Sequence, residues 1–102
     1  MDKELLKQKV CAAIDAHADK IKAICASIND EPELGFKEVK TSAKVAEFMR
    51  ELGLEPQTGL AINGVKARAK GGKPGPTAAV LGELDAVGCP ASAKADPATG
   101  AA

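Results

Sequence analysis

The stretch NGVKARAKGGKPGPTAAVLGELDAV, residues 63–87, decides the fold class. Apolar and basic residues alternate over residues 65–70, which predicts a half-buried strand with a basic outer face. The following KGGKPGP is rich in chain-turning residues and predicts a loop. The run TAAVL is apolar on both faces, which favours a strand over residues 77–84 that is covered on both sides. Together these patterns predict an antiparallel hairpin.

Two predicted helices precede this hairpin. Residues 3–29 carry apolar side chains at steps of three and four, which predicts one long helix whose stripe packs on a globular body. The stripe consists of Leu6, Val10, Ile14, His17, Ile21, Ile24 and Ile28. Residues 37–52 predict a second helix, which Gly53 ends in a left-handed conformation. Between the helices, Pro32 and Gly35 in EPELGF predict a corner.

His17 is the single histidine of the chain. A lone imidazole on an apolar helix face is usually a core or core-edge residue, and we expect His17 to be one. A histidine-based metal site or catalytic triad would require partners that this sequence does not offer.

The run TAAVL also bears on domain organisation. A strand that is apolar on both faces needs neighbours, and a two-stranded ribbon is marginal on its own. Two helices and one hairpin cannot enclose it. The sequence therefore favours the α/β class, with residues 1–102 as the incomplete N-terminal part of a larger α/β domain and residues 88–102 as a loop. A small standalone α+β domain is the alternative.

Composition excludes several classes of partner. The 102 residues have a formal net charge of zero and no basic stripe, so we expect no nucleic-acid partner. No apolar run approaches the roughly 20 residues of a membrane span, so we expect no membrane. The three cysteines, Cys11, Cys25 and Cys89, are scattered without a Cys-x-x-Cys motif. This pattern is typical of reduced, buried thiols in a cytoplasmic protein.

Glu83 and Asp85 are the first candidates for chemistry. They end the predicted TAAVL strand and lie two residues apart, so that both face the same side of an extended chain. Ligands of open α/β sheets bind beyond the carboxyl ends of strands. Buried carboxylates are costly unless they are paired, hydrogen-bonded or near a cation. A metal site and a structural role, as a hydrogen-bonded strand end or a salt bridge to a lysine, both remain open on this pattern.

Two segments together resemble one enzyme family. EPELGFKEVKTSAKVAEFMRELGLEPQTGLAINGVKA, residues 31–67, and GKPGPTAAVLGELDA, residues 72–86, resemble the start of the metal-dependent amidohydrolases and carboxypeptidases. That family includes aminoacylases, hippurate hydrolases and aminobenzoyl-glutamate hydrolase, and the GELDA form is most similar to the last branch and its dipeptidase-like relatives. The resemblance extends over about residues 5 to 100.

The resemblance implies a metallopeptidase-type α/β catalytic domain in a homodimeric enzyme. Such enzymes hydrolyse the amide bond of N-acyl amino acids or small dipeptides with a water activated by zinc, manganese or cobalt. Asp85 matches an aspartate that supports and orients a metal-ligand group. Glu83 takes the place of a metal-ligand histidine of carboxypeptidase relatives and so departs from the pattern.

The family's His-Ala-Cys-Gly-His segment, which carries two metal ligands, is expected directly after Ala102. The resemblance therefore implies no metal ligand within this chain, and a fragment that is inactive alone. A second interpretation stays open, namely a non-catalytic interaction module that binds its partner through the apolar stripe from Leu6 to Ile28.

Overall fold

The computed structural model describes residues 2–102, and its first helical segment is divided at His17. Helix α1 spans Lys3–Ala16 and helix α2 spans Ala18–Asp30. His17 has φ −104° and ψ 6°, and its N–H donates to the carbonyl oxygens of Ala13 and Ile14 at 3.2 and 3.1 Å. The prediction of a single helix over residues 3–29 is therefore wrong, since the segment forms two helices. The apolar stripe continues across His17, so the sequence pattern did not indicate the break.

The apolar stripe is largely exposed. The exposed fractions of Leu6, Val10, Ile14 and Ile21 lie between 43 and 54 %. Among the helices and strands of residues 2–102, α1 packs only against α2. The expectation that this stripe packs on a globular body is wrong for its α1 part, because α2 is the one described element that α1 contacts. His17 is exposed, so the expectation that it is a core or core-edge residue is also wrong.

Helix α3 spans Val39–Glu51, inside the predicted range of 37–52. It buries Thr41, Ser42 and Ala46. Gly53 follows the helix with φ +80°, as predicted for a left-handed C-terminal residue. The N–H groups of Gly53 and Leu54 donate to the carbonyls of the last helical turn at 2.9 and 3.0 Å, which ends the helix.

The hairpin lies upstream of its predicted position. Strand β1, Gln57–Leu60, pairs antiparallel with β2, Gly64–Lys66. The predicted strand over 65–70 is thus formed only at its first two residues, and the predicted strand over 77–84 is not formed. TAAVL needs a sheet on either side, and no described element supplies one. Val80 is consequently 100 % exposed and Leu81 88 %.

The last segment, residues 88–102, contains turns and no helix or ladder strand, in agreement with the predicted loop. It folds back on itself through an isolated bridge between Gly88 and Ala101, and Ala101 is completely buried. Ala46 and Ala101 are the buried hydrophobic residues among those described. All three cysteines are free and exposed, which corrects the expectation that they are buried.

Residues 2–102 form a mixed α/β arrangement of three helices and a two-stranded antiparallel hairpin. The larger α/β domain stays a prediction. Within residues 2–102, no helix combines the length and the apolar character needed to cross a bilayer.

Candidate functional site

The corner, defined here as residues 31–38 between α2 and α3, is held to α3 by hydrogen bonds of Glu33. Its Oε1 accepts hydrogen bonds from the N–H and the hydroxyl of Thr41 at 2.6 and 2.8 Å, and its Oε2 accepts one from the N–H of Lys40 at 3.2 Å. These N–H groups belong to the first turn of α3, where helical partners are missing. Burial raises the pKa of Glu33, but the hydrogen bonds from Thr41 and Lys40 outweigh it and leave the pKa lowered.

Glu31 ties the corner to α3 by charge. Its two carboxylate oxygens lie 3.0 Å from Lys44 Nζ and 3.1 Å from Lys40 Nζ. The hydrogen bond and charge of Lys44, followed by those of Lys40, lower the pKa of Glu31, and Glu31 in turn raises the pKa of Lys40. Lys44 Nζ also donates to the carbonyl of Ser27 at 2.8 Å, which links α3 to the end of α2.

Glu38 joins the corner to the hairpin. Its Oε1 accepts from the N–H of Phe36 at 2.9 Å and its Oε2 from Asn63 Nδ2 at 3.1 Å. A hydrogen bond within its own residue is the main cause of its lowered pKa, with Asn63 and Phe36 adding to it against the effect of burial. Phe36 and Ile62, which flank these contacts, have φ of +62° and +85°, a conformation that side-chain-bearing residues rarely adopt. All three glutamates of the corner are therefore engaged in local contacts.

The corner and the end of the TAAVL segment lie side by side. The N–H of Ala86 donates to the carbonyl of Glu33 at 2.7 Å, within a parallel bridge between Leu34 and Ala86. This contact places Asp85 beside Gly35, because a Cβ added to Gly35 would lie 4.0 Å from Asp85 Oδ2. The sequence had identified the two segments separately. Their adjacency carried no sequence signal, since it joins distant parts of the chain.

Glu83 and Asp85 are both exposed, and neither forms an ion pair with a lysine or arginine of residues 2–102. The salt-bridge alternative is therefore not observed, and the cost of burying these carboxylates does not arise. Across the same residues, no three His, Cys, Asp or Glu side chains gather closely enough to hold a metal ion. The supporting role of Asp85 and a ligand role of Glu83 stay predictions.

A groove of about 950 Å³ opens elsewhere on the molecule, between α2, α3 and the hairpin. Its lining includes Ile24, Ala46 and Ile62. At one margin Lys20 Nζ lies 2.6 Å from Glu51 Oε2 and 5.7 Å from the centre of the Phe48 ring. This groove does not include Glu83 or Asp85.

Comparisons with known proteins concern part of the chain. Over 61 residues, 59 % of this chain, it is 41 % identical to thermostable carboxypeptidases 1 and 2 of Saccharolobus solfataricus. Over 82 residues, 80 % of this chain, it is 32 % identical to YhaA of Bacillus subtilis, which carries a provisional amidohydrolase name. These likenesses support a peptidase or amidohydrolase family. The aligned parts span 16 and 21 % of the length of those relatives.

No family model matches the chain, and no solved structure matches it. The likenesses to carboxypeptidases and to an amidohydrolase thus support a relationship at the level of a hydrolase family.

Proposed function

We propose that this chain is the N-terminal part of a metal-dependent amidohydrolase that cleaves the amide bond of N-acyl amino acids or small dipeptides. The observation that carries the proposal is the 41 % identity to two carboxypeptidases together with the likeness to an amidohydrolase. Both kinds of relative are named for hydrolysis at an amide or peptide bond. In this proposal the complete enzyme is a cytoplasmic homodimer that binds zinc, manganese or cobalt.

Asp85 is the residue of this chain that we propose to act in the reaction. The N–H of Ala86 donates a hydrogen bond of 2.7 Å to the carbonyl of Glu33, and this bond holds the chain next to Asp85 in place. The carboxylate of Asp85 stays exposed beside Gly35. A carboxylate held in this way can accept a hydrogen bond from a neighbouring donor and thereby orient it. Asp85 would thus position a group of the site without itself reacting.

The described residues do not fit a catalytic metal, since no three donor side chains lie together among them. In this proposal the ligands of the catalytic metal therefore lie outside residues 2–102. In this proposal residues 2–102 contribute to the complete enzyme the corner, the exposed TAAVL segment and the carboxylate of Asp85.

The test is hydrolysis by the gene product at its native length, purified from its source. We expect release of free amino acid from an N-acyl amino acid or a dipeptide, with added Zn²⁺, Mn²⁺ or Co²⁺. Asp85→Asn should lower kcat by about 10- to 100-fold, as is typical of residues that orient a ligand, with little change in KM. Asp19→Asn, a matched change on α2, should leave both constants unchanged.

Two results would count against this proposal, the first against the hydrolase assignment and the second against the role of Asp85 alone. One is the absence of hydrolysis of both substrate classes under all three metal conditions. The other is an Asp85→Asn variant that behaves like Asp19→Asn, which would remove Asp85 from the site while leaving the hydrolase assignment intact.

A second candidate function is a helical interaction module, and the exposed stripe on α1 favours it. Leu6, Val10 and Ile14 lie one turn apart on one face and are each about half exposed, at 50, 51 and 54 %. Such a face is typical of an amphipathic helix that docks into a groove of another protein. Val10→Asp should abolish binding of a protein partner recovered from the source organism, whereas Gln8→Asp, on the opposite face, should not. Loss of binding in both variants, or in neither, would count against the module.

A further inference from the structure

The turn of the hairpin has a backbone conformation that its residues do not favour. Ala61 and Ile62, which follow β1, have φ of +45° and +85°. These are left-handed angles, which both central residues of a two-residue type I′ turn adopt. Residues with a side chain seldom adopt them, and a β-branched residue such as Ile62 is a clear outlier. The observed turn is therefore strained.

The residues best suited to such a turn come directly after it. Asn-Gly is the dipeptide most strongly preferred at the two central positions of a type I′ turn, and it occupies positions 63 and 64. Gly64 is instead the first residue of β2, and neither Gly64 nor Asn63 has a positive φ. The dipeptide that favours the turn thus lies just beyond the strained pair.

The ladder of the hairpin is also short and irregular. Gln57 lies opposite Lys66 and Leu60 opposite Gly64, with a register shift between the two pairs. Strand β2 ends at Lys66, and residues 67–70 form no helix or strand. The alternation of apolar and basic residues over 65–70 is therefore paired only at its beginning.

A second register removes the strain and the irregularity together. With Asn-Gly at the centre of the turn, residues 57–62 lie opposite residues 65–70 without a bulge, and the strained pair becomes extended strand. Directly opposite residues share a face, so the apolar residues meet on one face and the basic residues lie on the other. The apolar face pairs Ile62 with Val65, Leu60 with Ala67 and Thr58 with Ala69, and the basic face pairs Ala61 with Lys66, Gly59 with Arg68 and Gln57 with Lys70.

Glu38 holds the hairpin in the observed register. Its Oε2 accepts a hydrogen bond from Asn63 Nδ2 at 3.1 Å, and its Oε1 accepts one from the N–H of Phe36 in the corner at 2.9 Å. Hydrogen bonds to an ionised carboxylate are stronger than those between neutral groups. In the second register Asn63 lies at the tip of the turn and gives up this bond, so the bond opposes the relief of strain.

We propose that the hairpin is a two-state element in which the bond between Glu38 and Asn63 selects between two strand registers. In the second register Lys66 moves from a position opposite Gln57 to one opposite Ala61. At about 3.3 Å per residue, this is a displacement of about 13 Å along β1. The inference goes beyond the proposed amide hydrolysis and does not depend on it.

The change of register also reaches the chain that leads to Asp85. In the observed register the chain after Lys66 is outside the ladder, whereas the second register takes up residues 67–70 as strand. The connection between the hairpin and Asp85 then becomes shorter. The corner, through Glu38, therefore determines how much chain is free before Asp85.

The first test is Glu38→Ala, read by nuclear Overhauser effects in this chain. In the unmodified chain Lys66 should show its main cross-strand effect to Gln57. In Glu38→Ala the effect from Lys66 to Ala61, relative to that to Gln57, should rise by about tenfold, as expected for the loss of one hydrogen bond to a charged group. Glu47→Ala, which removes an exposed carboxylate from α3, is the matched control and should change neither effect.

Amide hydrogen exchange separates a change of register from unfolding. Ala67 and Ala69 lie outside the observed ladder, and their N–H groups donate across the hairpin in the second register. Glu38→Ala should therefore increase protection at both amides by about tenfold. Loss of a merely stabilising contact would add no protection at these positions.

The second test is a rescue variant. Ala61→Asn/Ile62→Gly gives the observed turn the dipeptide that tolerates its left-handed angles, and so removes its strain. Added to Glu38→Ala, this pair of changes should return Lys66 to Gln57 and remove the added protection at Ala67.

Three outcomes would overturn the proposal. The first is a Glu38→Ala variant in which Lys66 stays beside Gln57 and Ala67 gains no protection. The second is loss of the cross-strand effects of both registers in that variant, which would make Glu38 a stabilising contact only. The third is failure of Ala61→Asn/Ile62→Gly to return Lys66 to Gln57.

Discussion

Replacement of Glu33 tests whether a carboxylate outside α3 supports the start of that helix. The N–H groups of Lys40 and Thr41 lie in the first turn, and both donate to Glu33, at 3.2 and 2.6 Å. The residue before the helix, Glu38, makes no capping hydrogen bond with its own side chain. Glu33 therefore performs at a distance the role of an N-terminal cap, and its negative charge also lies at the positive end of the helix dipole.

The magnitude follows from these contacts. Loss of a helix cap costs about 1–2 kcal/mol, and loss of the favourable charge at the helix N-terminus costs about 0.5 kcal/mol. We expect Glu33→Ala to destabilise α3 by about 2 kcal/mol in total. Glu33→Gln keeps one acceptor oxygen and loses the charge, so it should cost about 1 kcal/mol.

The assay is amide hydrogen exchange followed by NMR at Val45 and Ala46, within α3. Protection at these amides should fall by about 30-fold in Glu33→Ala and about fivefold in Glu33→Gln, since 1.4 kcal/mol corresponds to a factor of ten. Glu47→Gln is the matched control. It removes an exposed contact to Arg50 at 3.5 Å, which contributes at most about 1 kcal/mol. The reasoning would be refuted if Glu33→Ala reduced protection no more than Glu47→Gln does.

Two further predictions concern acid and the hairpin. The pKa of Glu33 lies below its ordinary value of 4.5, so the stability from its hydrogen bonds is complete above pH 4.5 and is lost as pH falls through the lowered pKa. Urea titrations followed by NMR signals of α3 should show this loss as the pH falls below 4.5, and Glu33→Gln should reduce it. Gly64→Ala should destabilise β1–β2 by about 1–3 kcal/mol, because its Cβ would lie 2.5 Å from the carbonyl oxygen of Leu60. Weakened cross-strand nuclear Overhauser effects would report this, and Gly71→Ala, whose Cβ meets nothing within 4 Å, should leave them intact.

Local patterns predicted the helical content and the corner, because these features depend on neighbouring residues. The three- and four-residue spacing identified both helical regions, and Pro32 and Gly35 identified the corner between them. The end of α3 was equally local, since the left-handed residue Gly53 follows the last turn. The division at His17 was missed because apolar periodicity continues on both sides of it.

The fate of TAAVL and the candidate site depended on contacts between distant residues, which the sequence pattern does not encode. TAAVL has the composition of a covered strand, yet composition specifies only a need for neighbours and not their presence. The hairpin formed instead where residues 61–63 allow a turn, helped by the bond from Asn63 to Glu38. The meeting of Leu34 with Ala86, which places Asp85, is likewise a tertiary contact.

The separation of α1 from the rest of the molecule has a thermodynamic consequence. Among the helices and strands of residues 2–102, α2 is the one that α1 contacts, and none of the 14 residues of α1 is buried. An isolated helix of that length is marginal in water, so α1 should open with a free energy near zero while α3 stays closed. A thermal transition that is followed by total helical signal should therefore be broad and should not obey a two-state equation. Proteases should cleave the chain first close to His17. This cleavage would release α1, which opens independently of the other helices.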